Sequence, residues 1–323
     1  MGKQIGVIID YLTEDYRRRI DAAAAKHGYA VRYYPDSRSA VGKADDCEIL
    51  FGHCSQKVIA SARSLKWFCC CWAGVDRFCK EGLFQNPDCL LSNSSGAYGV
   101  TIAEHLIMTA LMLLRRQGEY TELIRSGGWD TLPGSIRSLY GSRITVLGTG
   151  DIGTQFARRA KAFSPAKIVG VRRSAKPGDP AFDAIRATAE LDAVLPETDI
   201  LVMALPNTPD TAGILSRARM ALLPAGAYVL NVGRGTALDQ DALIDALNSG
   251  HLAGAALDVV VPEPLPADHP LRAAKNLLLT PHVAGNTTLP YTRQRTVDMF
   301  LEDLDNYCAG KPLAHLVDRK RFY

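Results

Sequence analysis

The amino-acid sequence predicts an α/β chain with two parallel-sheet layers, one following the other. Three observations predict it. Short apolar runs alternate with helix-like intervals along most of the length, the pattern left by strand–helix–strand crossovers. A long apolar helix and an irregular polar segment interrupt that alternation once. The 323 residues also exceed the size at which a single hydrophobic core keeps growing.

In order along the chain, strands are expected at residues 5–9, 31–34, 48–52, 67–72 and 90–92. An apolar helix is expected over 101–114, closed by Arg115 and Arg116, and the stretch from Gly127 through Trp129 to Gly134 reads as a connection between domains. From Arg143 a second series offers strands at 144–147, 168–171, 200–204, 228–232, 255–259 and 277–279. Six short apolar strands with helical intervals fit a doubly wound sheet. The tail 294–307 carries Met299, Leu301, Leu304 and Tyr307 at roughly helical spacing. It either caps the second sheet or crosses back to the first.

Composition narrows the function classes. A hydrophobic share of 47% suffices for two cores, and a net charge of +3, dispersed along the chain, argues against a nucleic-acid or membrane surface. Small-molecule chemistry remains. The strand-like start Gln4-Ile5-Gly6-Val7-Ile8-Ile9 lacks the basic opening and long apolar core of a targeting segment, and no apolar run reaches membrane-spanning length. Eight cysteines in so long a chain are expected as reduced thiols in the cytoplasm. The run Cys69-Cys70-Cys71 puts successive thiols on opposite faces of a strand, unlike zinc ligands spaced two to four residues apart, so no metal is expected.

The second series opens on chemistry. Directly after Ile144-Thr145-Val146-Leu147 comes Gly148-Thr149-Gly150-Asp151-Ile152-Gly153, which runs into a helix through Phe156 and Ala157. Glycines alone are a weak signal, but between a strand and a helix each has a task. The first permits a tight turn, the second lets backbone approach a pyrophosphate, and the third allows close helix–strand packing. Free amides and the dipole at the helix start then favour phosphate. About twenty residues on, an NAD-binding sheet usually offers an acidic residue to the ribose hydroxyls, whereas this chain offers Arg172, Arg173 and Ser174. Two guanidinium groups there favour a 2′-phosphate. NADP(H) is therefore expected over NAD(H).

Three later groups stand at strand ends. Arg234 follows the strand 228–232, Asp258 and Glu263 end or follow 255–259, and His282 follows 277–279. The carboxyl ends of all strands in an open parallel sheet share one edge, so these groups should meet beside the dinucleotide. Hydride delivery to a carbonyl carbon leaves charge on oxygen, and His282 is suited to donate the proton. A carboxylate at Glu263 would stabilise the protonated imidazole, while Arg234 can hold a substrate carboxylate and polarise the carbonyl. Among the other histidines, His27, His251, His269 and His315 read as surface residues. His53 ends a strand at the corresponding edge of the first sheet and stays open as a functional candidate, and His105 is also less easily dismissed.

The motifs resemble those of the D-isomer-specific 2-hydroxyacid dehydrogenases, a family that includes phosphoglycerate dehydrogenases and glyoxylate/hydroxypyruvate reductases. Beyond the glycine loop, the resemblance is carried by Ala204-Leu205-Pro206-Asn207-Thr208-Pro209-Asp210-Thr211, Asn231-Val232-Gly233-Arg234-Gly235, Asp258-Val259 with Glu263-Pro264-Leu265-Pro266, and Thr280-Pro281-His282. It implies that Arg234, Glu263 and His282 are the catalytic arginine, glutamate and histidine, and that Asp258 binds the nicotinamide carboxamide. It also implies cofactor contacts at Thr101, Pro206, Thr211 and Val232, and a substrate carboxylate held by backbone amides at Ala73, Gly74 and Val75. The fold it implies is a Rossmann domain, 99–293, inserted in a smaller flavodoxin-like substrate domain made of 1–98 and 294–323, with pairing into homodimers through the Rossmann domain.

Two departures stand out, one bearing on the substrate and one on packing near the cofactor. Related formate dehydrogenases carry Gln where this chain has Glu263, which argues against formate, and Val260 replaces the usual bulky aromatic after Asp258-Val259. With nothing long beyond Tyr323, the serine-responsive domain of some phosphoglycerate dehydrogenases is not expected. The expectation is a cytoplasmic NADPH-dependent reductase that converts a short 2-keto acid, such as glyoxylate or hydroxypyruvate, to the (R)-2-hydroxy acid. The alternatives are an NAD-dependent D-2-hydroxyacid or phosphoglycerate-type dehydrogenase, and a dinucleotide-sensing, co-repressor-like binding protein.

Overall fold

The structure, a computed structural model, describes residues 3–134, 136–176 and 178–322. The chain divides into two compact units, one comprising residues up to Tyr98 together with those from Thr287 onward, the other Gly99–Asn286. The return crossing thus precedes Thr287, earlier than the expected start of the returning segment at Gln294. The helix Pro290–Cys308 begins within this stretch; Thr292 in its first turn is fully buried, and Arg293 Nε donates to the Thr287 carbonyl at 2.5 Å.

The first unit holds a five-stranded parallel sheet in the order β2-β1-β3-β4-β5, with β1 Gln4–Ile8, β2 Ala30–Tyr33, β3 Ile49–Gly52, β4 Trp67–Cys70 and β5 Leu90–Ser92. Every residue of β3 and β4 is buried, because helices cover both faces of a parallel sheet; this is why they read as unbroken apolar runs. On one face the helix Pro290–Cys308 lays Val297, Phe300 and Leu304 against Ile5, Phe51 and Trp67. The Phe300 ring stacks on Phe51 with centroids 4.1 Å apart. The tail therefore packs on the first sheet, which settles the choice its amphipathic pattern left open. Of the run after Trp67, Cys69 and Cys71 face this layer and Cys70 the opposite one. All eight cysteines are free thiols.

The second unit holds seven parallel strands in the order β12-β11-β10-β9-β6-β7-β8. They are β6 Arg143–Leu147, β7 Lys167–Arg172, β8 Ala184–Ala187, β9 Ile200–Met203, β10 Ala227–Asn231, β11 Leu252–Leu257 and β12 Leu277–Leu279. The order reverses between β6 and β9, so the switch point of a doubly wound sheet lies there. Strand β8 is one more than the sequence suggested. It is a four-residue edge strand containing Arg186, with no buried residue to give it an apolar signature. The helix Gly99–Leu114 packs along the helix Asp151–Ala160, and this contact is close because a Cβ on Gly99 would lie 2.3 Å from the Asp151 carboxylate. Among the described residues no helix is long and apolar enough to cross a membrane, and no group of three or more His, Cys, Asp or Glu is arranged to hold a metal.

Candidate active site

The site residues of the second unit follow the strand order along one edge of its sheet. His282 follows β12, Asp258 and Glu263 follow β11, Val232 and Arg234 follow β10, Pro206 and Thr211 follow β9, the glycine loop follows β6, and Arg172 ends β7. A ligand reading that edge would meet an imidazole at one end, bare backbone in the middle and cations at the other.

The glycine loop has the shape its spacing suggested. Gly148 sits at φ +98°, where a Cβ would lie 2.5 Å from the Ala204 carbonyl oxygen, and a Cβ on Gly153 would lie 1.9 Å from the Gly148 carbonyl oxygen. Both must be glycine. Gly150 is different, because a Cβ there would meet nothing within 4 Å. It is the N-cap of the helix Asp151–Ala160 and caps it with no side chain, and a helix N-terminus is a setting that favours an anion. Thr149 accepts at its carbonyl from Thr154 Oγ1 at 3.2 Å, which steadies the turn. Arg172 is half-buried, and Arg173 and Ser174 are exposed beyond it. Absence of a side chain at Gly150, a helix N-terminus and two arginines together fit a phosphate-rich dinucleotide.

After β9 the loop is stapled on itself: Thr211 Oγ1 accepts from Thr208 N at 2.9 Å and donates to the Pro206 carbonyl at 2.7 Å. After β10 the fully buried Asn231 brackets the turn that bears Arg234. Its Oδ1 accepts from Gly233 N at 3.0 Å, and its Nδ2 donates to the Arg234 carbonyl at 2.9 Å. Val232, 8% exposed, donates its amide to the Met203 carbonyl. The Arg234 turn and the Glu263 loop meet at Gly235, where a Cβ would fall 2.4 Å from the Val260 carbonyl carbon.

The expected histidine–carboxylate pair is formed. His282 Nδ1 lies 2.8 Å from Glu263 Oε2, with the two side chains 49% and 38% exposed. An ionised carboxylate only accepts, so Nδ1 carries a proton and Nε2 lies outside this pair. Glu263 Oε1 accepts from Val260 N at 3.1 Å, and Gln240 brackets the same loop, donating to the Val261 carbonyl at 2.6 Å and accepting from Val261 N at 2.8 Å. His282 itself sits at φ +55°, a left-handed conformation that costs a side-chain-bearing residue on the order of 1–2 kcal/mol. Its amide donates to the carbonyls of Asp258 at 2.8 Å and Thr280 at 3.0 Å. Asp258, 3% exposed, takes Val283 N at 2.9 Å on Oδ1 and Ala284 N at 3.0 Å on Oδ2. Its carboxylate thus grips the loop immediately after the histidine.

Sequence reasoning missed Asn231 and Gln240. A buried amide directly before Val232-Gly233-Arg234 was a usable signal for the first; nothing local marked the second. Thr101 stands half-buried early in the helix Gly99–Leu114.

In the first unit, the loop after β4 contains Ala73 and Gly74, half-buried, and Val75, buried. Asn93 Nδ2 donates to the Ala73 carbonyl at 2.7 Å and Ser94 N to that of Trp72 at 3.2 Å, so the loop is tethered from the end of β5. His53 stacks on Trp72 with ring centroids 4.8 Å apart, and the Arg77 guanidinium lies over the same indole at 4.1 Å. Burial holds the His53 imidazole below the usual histidine range, with Asp10 opposing and Arg77 reinforcing. The four histidines expected at the surface are all partly buried and hydrogen-bonded: His27 to Asp305, His315 to Asp303, His251 to the Met220 carbonyl, and His269 as acceptor from Leu271 N. Their polar sequence neighbours concealed these partners.

A doubly wound sheet with a glycine-rich turn at its switch point places the chain among the dinucleotide-binding α/β enzymes. The chain belongs to the D-isomer-specific 2-hydroxyacid dehydrogenases: the family model for the NAD binding domain of D-isomer specific 2-hydroxyacid dehydrogenase matches residues 107–284. Glyoxylate/hydroxypyruvate reductase A of Klebsiella pneumoniae (strain 342) is 32% identical over 268 residues, 81% of this chain and 83% of the relative. A family protein from Aeromonas salmonicida subsp. salmonicida A449 superposes with a TM-score of 0.85 at 30% identity, covering 98% of this chain and 99% of that one. An NADPH-dependent glyoxylate/hydroxypyruvate reductase from Sinorhizobium meliloti, in complex with NADP and sulfate, superposes with a TM-score of 0.82 at 27% identity, covering 99% and 100%. The protein is an NAD(P)-dependent D-2-hydroxyacid dehydrogenase or 2-keto acid reductase.

Proposed function

We propose that the protein reduces a short 2-keto acid of the glyoxylate or hydroxypyruvate kind to the (R)-2-hydroxy acid at the expense of NADPH, with His282 as the proton donor. The observation that carries this reading is the 2.8 Å contact between His282 Nδ1 and Glu263 Oε2 at the edge that also bears Arg234. The dinucleotide supplies the hydride. His282 Nε2 gives its proton to the carbonyl oxygen as negative charge develops there, and Glu263 stabilises the imidazolium until that moment. Arg234 binds the substrate's carboxylate and polarises its carbonyl through its fork of donors; in the first unit, the backbone amides of Ala73, Gly74 and Val75 are the proposed substrate-binding groups. Gly148 to Gly153, Thr101, Pro206, Thr211 and Val232 hold the cofactor. Asp258 retains acceptor capacity for the carboxamide beyond its hydrogen bonds to the His282 loop.

The preference for NADP(H) is supported by Arg172, Arg173 and Ser174 at the end of β7, where the sequence offers arginines instead of an acidic residue for the ribose hydroxyls. The NADP bound by the Sinorhizobium meliloti relative agrees with it. Homodimerisation through the second unit is supported by exposed apolar side chains there, among them Trp129 at 88% and Tyr140 at 75%. A cytoplasmic setting suits eight unpaired cysteines.

Purified protein should oxidise NADPH when offered glyoxylate, hydroxypyruvate or another member of a panel of short 2-keto acids. His282→Ala should lower kcat by roughly 10²–10⁴-fold while binding NADPH as the wild type does. Arg172→Asp should erase the preference for NADPH over NADH. A panel without turnover would overturn the catalytic reading, and equal titrations with the two dinucleotides would overturn the cofactor reading alone.

A further inference from the structure

Asp258 has a third donor besides the amides of Val283 and Ala284. Thr280 Oγ1 lies 2.6 Å from Asp258 Oδ1, and His105 Nε2 lies 3.3 Å from the same Thr280 oxygen. We infer that Thr280 and His105 are positioning residues for the proton donor, acting through a hydrogen-bond chain from His105 Nε2–H to Thr280 Oγ1–H to Asp258 Oδ1. This rests on the proposed role of His282 and adds to it two side chains that touch neither substrate nor dinucleotide in that reading.

Chemistry dictates the direction of the chain. The Asp258 carboxylate is buried and accepts two backbone amides, so it is an acceptor on its Thr280 side as well. The single hydroxyl proton of Thr280 is therefore spent on Asp258 across 2.6 Å. Any further partner of that oxygen has to donate to it. His105 is accordingly the neutral tautomer protonated at Nε2, in keeping with burial, the dominant influence lowering its proton affinity. With all its donors in place, the Asp258 carboxylate has one orientation, and that orientation sets where the amides of Val283 and Ala284 can sit.

The need for such a brace comes from His282 itself. Its left-handed backbone, at φ +55°, is a conformation that relaxes unless its surroundings hold it, and its own amide and those of the two residues after it are tied to Asp258. Thr280, two residues before His282, and Val283 and Ala284 directly after it, all end on one carboxylate. His105 in turn stands on the helix Gly99–Leu114, which packs along the helix that opens at the glycine loop. The imidazole is thereby referenced to the element that faces the cofactor rather than to a free loop.

The test compares Thr280→Val with Thr280→Ser and His105→Phe with His105→Gln, each on the intact protein. Thr280→Val should lower kcat by about 10²-fold through misplacement of His282, with KM for the 2-keto acid nearly unchanged and Kd for NADPH raised far less than kcat falls, and Thr280→Ser should restore most of the loss. His105→Gln keeps a donor at similar reach and should outperform His105→Phe. Hydrogen exchange of the amides at Val283 and Ala284 should accelerate by about tenfold in the Val and Phe variants, the cost of one hydrogen bond, and not in the Ser and Gln variants. Unchanged kcat and unchanged exchange in Thr280→Val would overturn the inference. So would equal losses in kcat, substrate affinity and cofactor affinity that Thr280→Ser does not repair, since these describe a general structural defect. Should no 2-keto acid turn over at all, the catalytic reading fails while the exchange pattern still decides the hydrogen-bond chain.

Discussion

Replacing Glu263 with glutamine should damage turnover more than removing the side chain altogether. Glu263 accepts twice, from His282 Nδ1 through Oε2 at 2.8 Å and from Val260 N through Oε1 at 3.1 Å. Glutamine has one acceptor oxygen. If that oxygen turns to His282, the amide NH₂ faces the Val260 N–H, donor against donor; if it turns to Val260, the NH₂ faces Nδ1 and the protonated imidazole loses its acceptor. The lost charge alone is a partly exposed ion pair, worth about 1 kcal/mol. The mismatched hydrogen bond contributes about 1 kcal/mol more, so Glu263→Gln should lower kcat by roughly thirtyfold. Glu263→Ala forfeits the charge but lets water serve both donors in this exposed setting, and should lose only about fivefold. Initial rates with saturating NADPH and a 2-keto acid, read for both variants, decide the matter. Wild-type turnover in Glu263→Gln, or a far deeper loss in Glu263→Ala than in Glu263→Gln, would refute the double-acceptor role.

Two further outcomes concern stability. Phe300 is fully buried and stacked on both Phe51 and Trp67, so Phe300→Ala should cost about 3–5 kcal/mol, seen as a lower denaturation midpoint in urea. His53 is held below its ordinary value of 6.5 by burial, so the unfolded chain binds the proton first as pH falls. The neutral ring's contribution is complete above pH 6.5 and is lost as pH drops from there toward the folded value, so His53→Gln should show a shallower fall in Tm over that acid range than the wild type; identical slopes would count against it.

Much of this architecture was legible in the sequence because a parallel strand buried on both faces announces itself. Ile49 to Gly52 and Ile200 to Met203 are apolar throughout, and the first ends directly at His53. The glycine loop was legible for a related reason, since Gly148 and Gly153 stand where no side chain fits. Edge strand β8 was not, because Ala184 to Ala187 bury too little to carry a pattern. The supports of the site were hidden more deeply. Asn231 and Gln240 work by imitating backbone, pairing with turns whose course depends on φ and ψ rather than on residue type, and Thr280 matters only because Asp258 is brought beneath it by the neighbouring strand. The left-handed conformation at His282 gives no sign in its own letter.

The cysteines carry a practical consequence. All eight lie in the first unit, six of them buried, and the second unit has none. Burial pushes the thiol of Cys47 up to about 11 and those of Cys70 and Cys89 up to about 12, so at neutral pH the reactive thiolate is scarce as well as enclosed. A thiol reagent added to the native protein therefore acts as a clock for one half of the molecule. The pace at which the buried sulfurs are labelled measures the opening of the first sheet alone, and a cofactor that steadies only the second unit would leave that pace untouched.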